Sequence, residues 1–112
     1  MTLRPVSANS SRLGVALDYE VAQEQATALG RAGRVLEAAL KTLSDFDGGV
    51  TENRAARAGL VQAASDALWC YIVQREAIGL SDPRPVMRDY RVPRDVQNRM
   101  GIIGRRRRGP RG

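Results

Sequence analysis

The chain has 112 residues, no histidine, a single cysteine and a formal net charge of +6. This length predicts one domain with a modest core. One thiol without any histidine excludes an intramolecular disulfide and a His/Cys zinc site. Aromatic residues make up only 4% of the chain, so we expect a core of Ala, Leu and Val in closely packed helices.

The positive charge belongs to the C-terminal end. Residues 1–83 carry eight Lys/Arg against ten Asp/Glu, whereas residues 84–112 carry ten Arg against two Asp. The body of the chain is therefore slightly acidic and its last quarter is basic. No apolar run follows Met1, and the longest one, residues 67–73, is too short to span a membrane. We expect a cytoplasmic protein without a signal peptide.

The first part of the chain predicts a flexible arm followed by a long helix. Residues 1–12 are polar and irregular, which indicates a mobile N-terminal arm. From about residue 13 to residue 44, apolar and small residues recur at alternating steps of four and three, the spacing of a heptad seam. The members of this seam are Val15, Tyr19, Ala22, Ala26, Leu29, Gly33, Leu36, Leu40 and Leu43.

Gly33 interrupts the seam with a residue that disfavours a helix. The economical explanation is the close approach of a facing helix, and a kink is the alternative.

A second helix is predicted over about residues 52–78. Gly48 and Gly49 suit the end of the first helix, and Gly79 suits the end of the second. A linker this short makes the two helices antiparallel neighbours. The predicted core is therefore a long helical hairpin. On the second helix the residues expected to face the seam are Leu60, Ala64, Ala67, Leu68 and Tyr71.

Two short helices and a tail complete the predicted all-α fold. Pro83 and Pro93 each open a short helix, over about residues 83–90 and 93–100. Residues 102–112 are a low-complexity basic segment, which we predict to be disordered. The single helical domain is thus expected over residues 13–101.

The second helix is apolar on nearly every side between residues 67 and 73. Such a helix is buried on more than one side, and two helices alone cannot surround it. Either the C-terminal helices or a second subunit covers the remaining side, and a hairpin commonly pairs with its own copy. We predict helix-packing or interface roles for Leu29, Gly33, Leu36, Leu40, Leu43, Leu68, Trp69, Tyr71 and Ile72.

The sequence offers little for catalysis or metal binding. Glu20 and Glu24 share one helix face, as carboxylates do in di-iron bundles, but those bundles also need histidine. Cys70 has no histidine to take its proton, so we expect a buried structural cysteine rather than a nucleophile. We predict no enzyme activity, no cofactor and no metal.

Charged residues near the end of the second helix are expected to dock the C-terminal helices. Arg75 and Glu76 follow an apolar segment, and ion pairs from them to Asp89 or Arg88 would fix that docking. A catalytic role for Glu76 is the less favoured alternative.

The arginine-rich tail is the second place where a partner could bind. Its basic residues are Arg105, Arg106, Arg107, Arg108 and Arg111. Contacts from them to phosphates would give weak, salt-dependent binding to nucleic acid without sequence preference. An acidic protein or an anionic membrane would satisfy the same charges, and so would a tail that only improves solubility.

Two stretches of the chain are ALGRAGRVLEAAL and LWCYIVQREAIGLSDPRPVMRDYRVPRDVQNRMG. Both resemble a family of short, uncharacterised bacterial proteins. The likeness covers about residues 13–101. It implies an all-helical domain of unknown function and supplies no activity or site residue. Where the family has Gly after the Tyr, this chain has Arg91, which puts a left-handed backbone there in question. The matching positions are Trp69, Gln74, Arg75, Glu76, Gly79, Leu80, Arg84, Pro85, Asp89, Tyr90, Val92, Pro93, Met100 and Gly101.

These patterns favour a small, non-catalytic, all-α interaction protein that associates with itself as a homodimer. The alternative is a nucleic-acid-associated protein that binds the phosphate backbone through its arginine-rich tail.

Overall fold

The computed structural model describes the backbone of residues 4–50 and 52–108, and the side chains of residues 12–50 and 52–101. It contains four helices and, within those ranges, no strand, which confirms the predicted all-α class. The helices are α1 (Arg4–Asp47), α2 (Arg54–Ala77), α3 (Arg84–Asp89) and α4 (Arg94–Arg108).

Helix α1 is longer than the predicted span of residues 13–44. It begins at Arg4 and ends at Asp47, so most of the backbone predicted as a flexible arm is helical. Pro5 does not prevent this, because a proline is tolerated in the first turn of a helix, where its missing N–H has no intrahelical partner. The polar composition of this segment was compatible with a helix as well as with an arm.

The predicted ends of α2 and α3 are correct to within two residues, whereas α4 differs more. Its predicted span was residues 93–100, and its recorded end is Arg108. The helix therefore includes the backbone of Arg105–Arg108, part of the segment predicted as a disordered tail. Residues 109–112 lie outside the described ranges.

Both ends of α2 carry the caps that its flanking sequence supports. At the start, Asn53 Oδ1 accepts a hydrogen bond from the backbone N–H of Ala56 at 3.0 Å. At the end, Gly79 has a φ of +92° and Leu80 N–H donates to the Arg75 carbonyl at 2.9 Å. This Schellman arrangement is the predicted stop at Gly79.

Helix α2 lies at the centre of the fold, with α1 packed on one side and α4 on another. Leu36 of α1, Leu68 of α2 and Val96 of α4 are fully buried in one core cluster. Burial of one such side chain contributes roughly 1.5–3 kcal/mol. The hydroxyl of buried Ser65 donates to the Val96 carbonyl at 3.2 Å, so its polar group is satisfied where α2 meets α4.

Gly33 makes room for two tyrosine rings. A Cβ atom at this position would lie 3.0 Å from Tyr90 Oη and 3.2 Å from Tyr71 Cε1. The two rings meet edge to face, with centroids 5.4 Å apart. Burial, and then the hydrogen bond with Tyr71, raise the pKa of Tyr90 to about 12. The predicted close approach is therefore present, but aromatic side chains make it rather than the backbone of a facing helix.

Two contacts define how far α2 runs along α1. Tyr71 lies against Gly33, and Arg57 Nε lies 2.7 Å from Asp47 Oδ1. When two antiparallel helices pack together, the sequence numbers of any two residues that face each other have the same sum. For both of these pairs the sum is 104. The last residue of α2, Ala77, therefore lies opposite residue 27 of α1.

Residues 4–26 of α1 consequently extend past the end of α2, and we call them the projecting segment. At 1.5 Å per residue this segment is about 35 Å long. The molecule measures 72 × 39 × 21 Å and has a radius of gyration of 20.0 Å. A compact domain of this length has a radius of gyration of about 13 Å, so the fold is unusually elongated.

Arg91 adopts the left-handed backbone that its identity had put in question, with a φ of +51°. Arg91 N–H donates to the Arg88 carbonyl at 3.2 Å, and Val92 N–H donates to the Met87 carbonyl at 3.0 Å. These two bonds end α3 in a Schellman arrangement, and Val92 is buried beyond it. The hydrogen bonds and the burial of Val92 hold the turn although the residue is not glycine.

We predict opposite outcomes for two alanine substitutions three residues apart on α1. Gly30→Ala is expected to raise the free energy of unfolding by up to about 1 kcal/mol, because alanine favours the helix. Its new Cβ would meet only the end of the Arg34 side chain, at 3.5 Å. Gly33→Ala should be less stable than Gly30→Ala by about 1–3 kcal/mol, because its methyl group displaces the tyrosine rings. Urea unfolding measures both, and equal stabilities would contradict the packing described.

Replacing Arg91 by glycine should stabilise the protein. Arg91→Gly removes the strain of a side chain at positive φ, and we expect the free energy of unfolding to rise by about 0.5–1 kcal/mol. Arg91→Ala is the matched control, because it removes the charge but keeps the strain. Chemical denaturation compares them, and equal stability of the Gly and Ala variants would contradict a left-handed backbone at this position.

Candidate self-association surface

The projecting segment exposes large apolar side chains. Their exposed fractions lie between 52% and 69%, and in the described chain they lie outside the core cluster. A helical segment without packed neighbours is only marginally stable in water. This surface is therefore the most conspicuous candidate for a binding site. The residues are Leu13, Val15, Leu17, Tyr19 and Val21.

Four of these side chains, all except Leu13, belong to two stripes on different sides of α1. Val15 and Tyr19 lie on the seam, whose later residues α2 covers. Successive residues of a helix are spaced by 100° around its axis, so Leu17 lies about 160° from Val15 and about 160° from Tyr19. It starts a second series with steps of four and three, which we call the outer stripe. The outer stripe consists of Leu17, Val21, Glu24, Ala28, Arg31 and Val35.

The outer stripe continues into a groove between α1 and α2, which we call the α1–α2 groove. Its volume is ≈ 540 Å³. Small residues form much of its walls, so the two helices leave a shallow apolar channel between them. The lining residues are Ala28, Arg31, Ala32 and Val35 of α1, and Ala63, Asp66, Ala67, Cys70 and Gln74 of α2.

Cys70 is exposed in this groove, which corrects the expectation of a buried structural cysteine. It follows the fully buried Leu68 by two residues, which rotates it by about 200° around α2. Leu68 and Ile72 are buried, whereas Val73 is 40% exposed and Trp69 is half-buried. The apolar run is thus covered on two sides of α2 and open on a third.

The nine residues predicted for packing or interface roles lie within the hairpin and its contact with the C-terminal helices. Gly33, Leu36, Leu43, Leu68 and Ile72 are buried, and the other four are half-buried. Because their surface is largely used inside one chain, a partner needs a different surface. The half-buried residues are Leu29, Leu40, Trp69 and Tyr71.

The predicted docking ion pairs are not the ones that form. Arg75 Nη2 donates to the backbone carbonyl of Asp82 at 2.9 Å. Asp89 pairs with its neighbour Arg88, whose Nε lies 3.2 Å from Asp89 Oδ1. Glu76 is exposed and belongs to none of the ion pairs found among the described side chains. The short loop after α2 explains the change, because it brings the Asp82 carbonyl closer to Arg75 than Asp89.

Arg57 instead links three helices, a role that sequence reasoning missed. Its Nε lies 2.7 Å from Asp47 Oδ1 of α1, and its Nη1 lies 2.7 Å from Asp95 Oδ2 of α4. The hydrogen bond from Arg57 lowers the pKa of Asp47. All three side chains are more than a third exposed, so these pairs define geometry more than they add stability.

The remaining predicted features are only partly within the described chain. No group of three or more His, Cys, Asp or Glu that could hold a metal ion is found among the described residues. No helix in that part of the chain is both long and apolar enough to cross a membrane. The side chains of Arg105–Arg108, and all of Arg111, lie outside the described residues.

Comparison with known proteins gives a family without an assigned function. Residues 3–108 match the family model described as a family of unknown function, DUF6665. No curated protein and no solved structure matches the chain. The match covers nearly the whole sequence and agrees with the resemblance to a domain of unknown function. The chain therefore belongs to the family of unknown function DUF6665.

Proposed function

We propose that this chain is a non-catalytic helical interaction protein that associates with itself as a homodimer. The observation that carries the proposal is the exposure of Leu13, Val15, Leu17, Tyr19 and Val21 on the projecting segment. Exposed apolar surface of this kind marks an interaction site on a folded protein. A second copy is the simplest partner, because most soluble oligomers are symmetric pairs of one chain.

The length of α1 supports the same proposal. An isolated helix has little stability of its own, and tertiary packing of an apolar face supplies most of the stability of helices in proteins. The projecting segment gains no such packing from α2, which ends opposite residue 27. Pairing with another chain would supply it.

We further propose a cytoplasmic location. The free and exposed thiol of Cys70 suits a reducing compartment, where such thiols stay unpaired.

Self-association predicts a molar mass of twice 12.2 kDa by light scattering. We expect this mass at roughly 100 μM protein, where an interface of ordinary affinity is occupied. The double variant Leu17→Glu/Tyr19→Glu places a charge on each apolar stripe and should have the mass of one chain. Ala16→Glu is the matched control, because Ala16 lies between the stripes, and it should keep the doubled mass. A wild-type monomer at this concentration would contradict the proposal.

Nucleic-acid association through the C-terminal region is the second candidate. Two exposed arginines, Arg91 and Arg94, favour it, because they belong to the same basic C-terminal quarter of the chain as the arginine-rich tail. Their charges would add to those of the tail in non-specific contacts with phosphates.

The second candidate predicts retention on RNA or duplex DNA at low salt. Deleting residues 105–112 should abolish this retention, because it removes five of the ten arginines after residue 83. The deletion should not change the oligomeric state, so the measured molar mass should still be twice that of one shortened chain. Retention that survives the deletion would exclude the tail as the binding element.

A further inference from the structure

We infer that the α1–α2 groove of each copy receives the projecting segment of a second copy, with the two α1 helices antiparallel. This inference rests on the proposed self-association and identifies the surface and the orientation. The segment and the hairpin have similar lengths. The projecting segment has 23 residues, and α2 covers α1 over residues 27–47, which is 21 residues. One segment can therefore lie along one whole hairpin, and the part of it that faces residues 28–35 of the partner enters the groove.

The two faces are complementary in side-chain size. Leu17 and Val21 are large and exposed on the outer stripe. The groove is lined by small side chains, among them Ala28, Ala32 and Ala63. Large side chains of one helix packed against small ones of its neighbours allow a close approach of the helices. A twofold axis makes both contacts at once, because each copy carries a segment and a groove.

Charge complementarity selects the antiparallel orientation. Glu24 and Arg31 both lie on the outer stripe, one toward each end, and both are exposed. When Leu17 faces the partner's Val35, Glu24 lies within one helical turn of the partner's Arg31, and the reverse contact forms by symmetry. A parallel pair would place Glu24 against Glu24 and Arg31 against Arg31, which repel. Only the antiparallel arrangement is electrostatically matched.

The groove is also accessible, because α4 occupies the other face of the hairpin. Ser65 contacts Val96 of α4 on that face. Ala63 and Cys70 line the groove, together with residues of α1 and α2 only. A third helix can therefore enter without displacing the C-terminal helices.

A charge swap tests the orientation. Glu24→Arg and Arg31→Glu should each raise the dissociation constant of the dimer about tenfold or more, because like charges then meet across the interface. The combined variant Glu24→Arg/Arg31→Glu restores opposite charges and should return to within about threefold of wild type. Asp18→Arg is the control, since it makes the same change of charge off the outer stripe. Sedimentation equilibrium measures all four. A double variant as weak as the single variants would overturn the antiparallel pairing.

A second pair of variants tests which stripe is used. Leu17→Glu should convert the dimer to a monomer, whereas Val15→Glu, on the seam side of the same segment, should leave a dimer. The thiol of Cys70 should react with Ellman's reagent more slowly in the wild-type dimer than in monomeric Leu17→Glu, because the partner covers the groove.

The results separate this inference from the proposed function. A wild-type monomer would contradict both. A dimer that Val15→Glu dissociates and Leu17→Glu does not would overturn the inference and leave self-association standing. A dimer in which Cys70 reacts as fast as in the monomer would equally exclude the groove as the site of contact.

Discussion

Two tyrosine rings fill the space left by the missing side chain of Gly33, and this packing aligns α2 with α1. Tyr71 comes from α2 and Tyr90 from the end of α3, so one glycine brings three parts of the chain together. Arg57 and Asp47 define the same alignment at the other end of the hairpin. Because α2 has 24 residues and α1 has 44, this alignment leaves just over half of α1 beyond the end of α2.

The uncovered half of α1 differs from an ordinary surface helix. A surface helix has one apolar stripe that faces the core and a polar remainder. Here the seam continues past the end of α2, and the outer stripe lies on another side and leads into the α1–α2 groove. The outer stripe and the groove are thus parts of one continuous face. A partner that covers this face would stabilise a segment that the single chain leaves exposed.

The sequence predicted the hairpin well because its signals are local and periodic. Heptad spacing identified the seam, and Gly79 identified the end of α2 through its need for positive φ. The start of α1 was missed because the sequence of residues 4–12 is mostly polar and has no hydrophobic period. The backbone of Arg91 was misjudged because the burial of Val92, a tertiary feature, decides it. The role of Arg57 was missed because it depends on how three helices are arranged. The outer stripe was visible as spacing, but the exposure of Cys70 depends on where α4 packs.

Amide hydrogen exchange over residues 12–26 tests the central claim most directly, namely that a second copy stabilises the projecting segment. We predict that these amides are protected at high protein concentration and lose protection on dilution, while amides in the middle of α2 keep theirs. The molar mass is followed over the same dilution range to show where the dimer dissociates. Protection of residues 12–26 that stays constant over that range would contradict the claim.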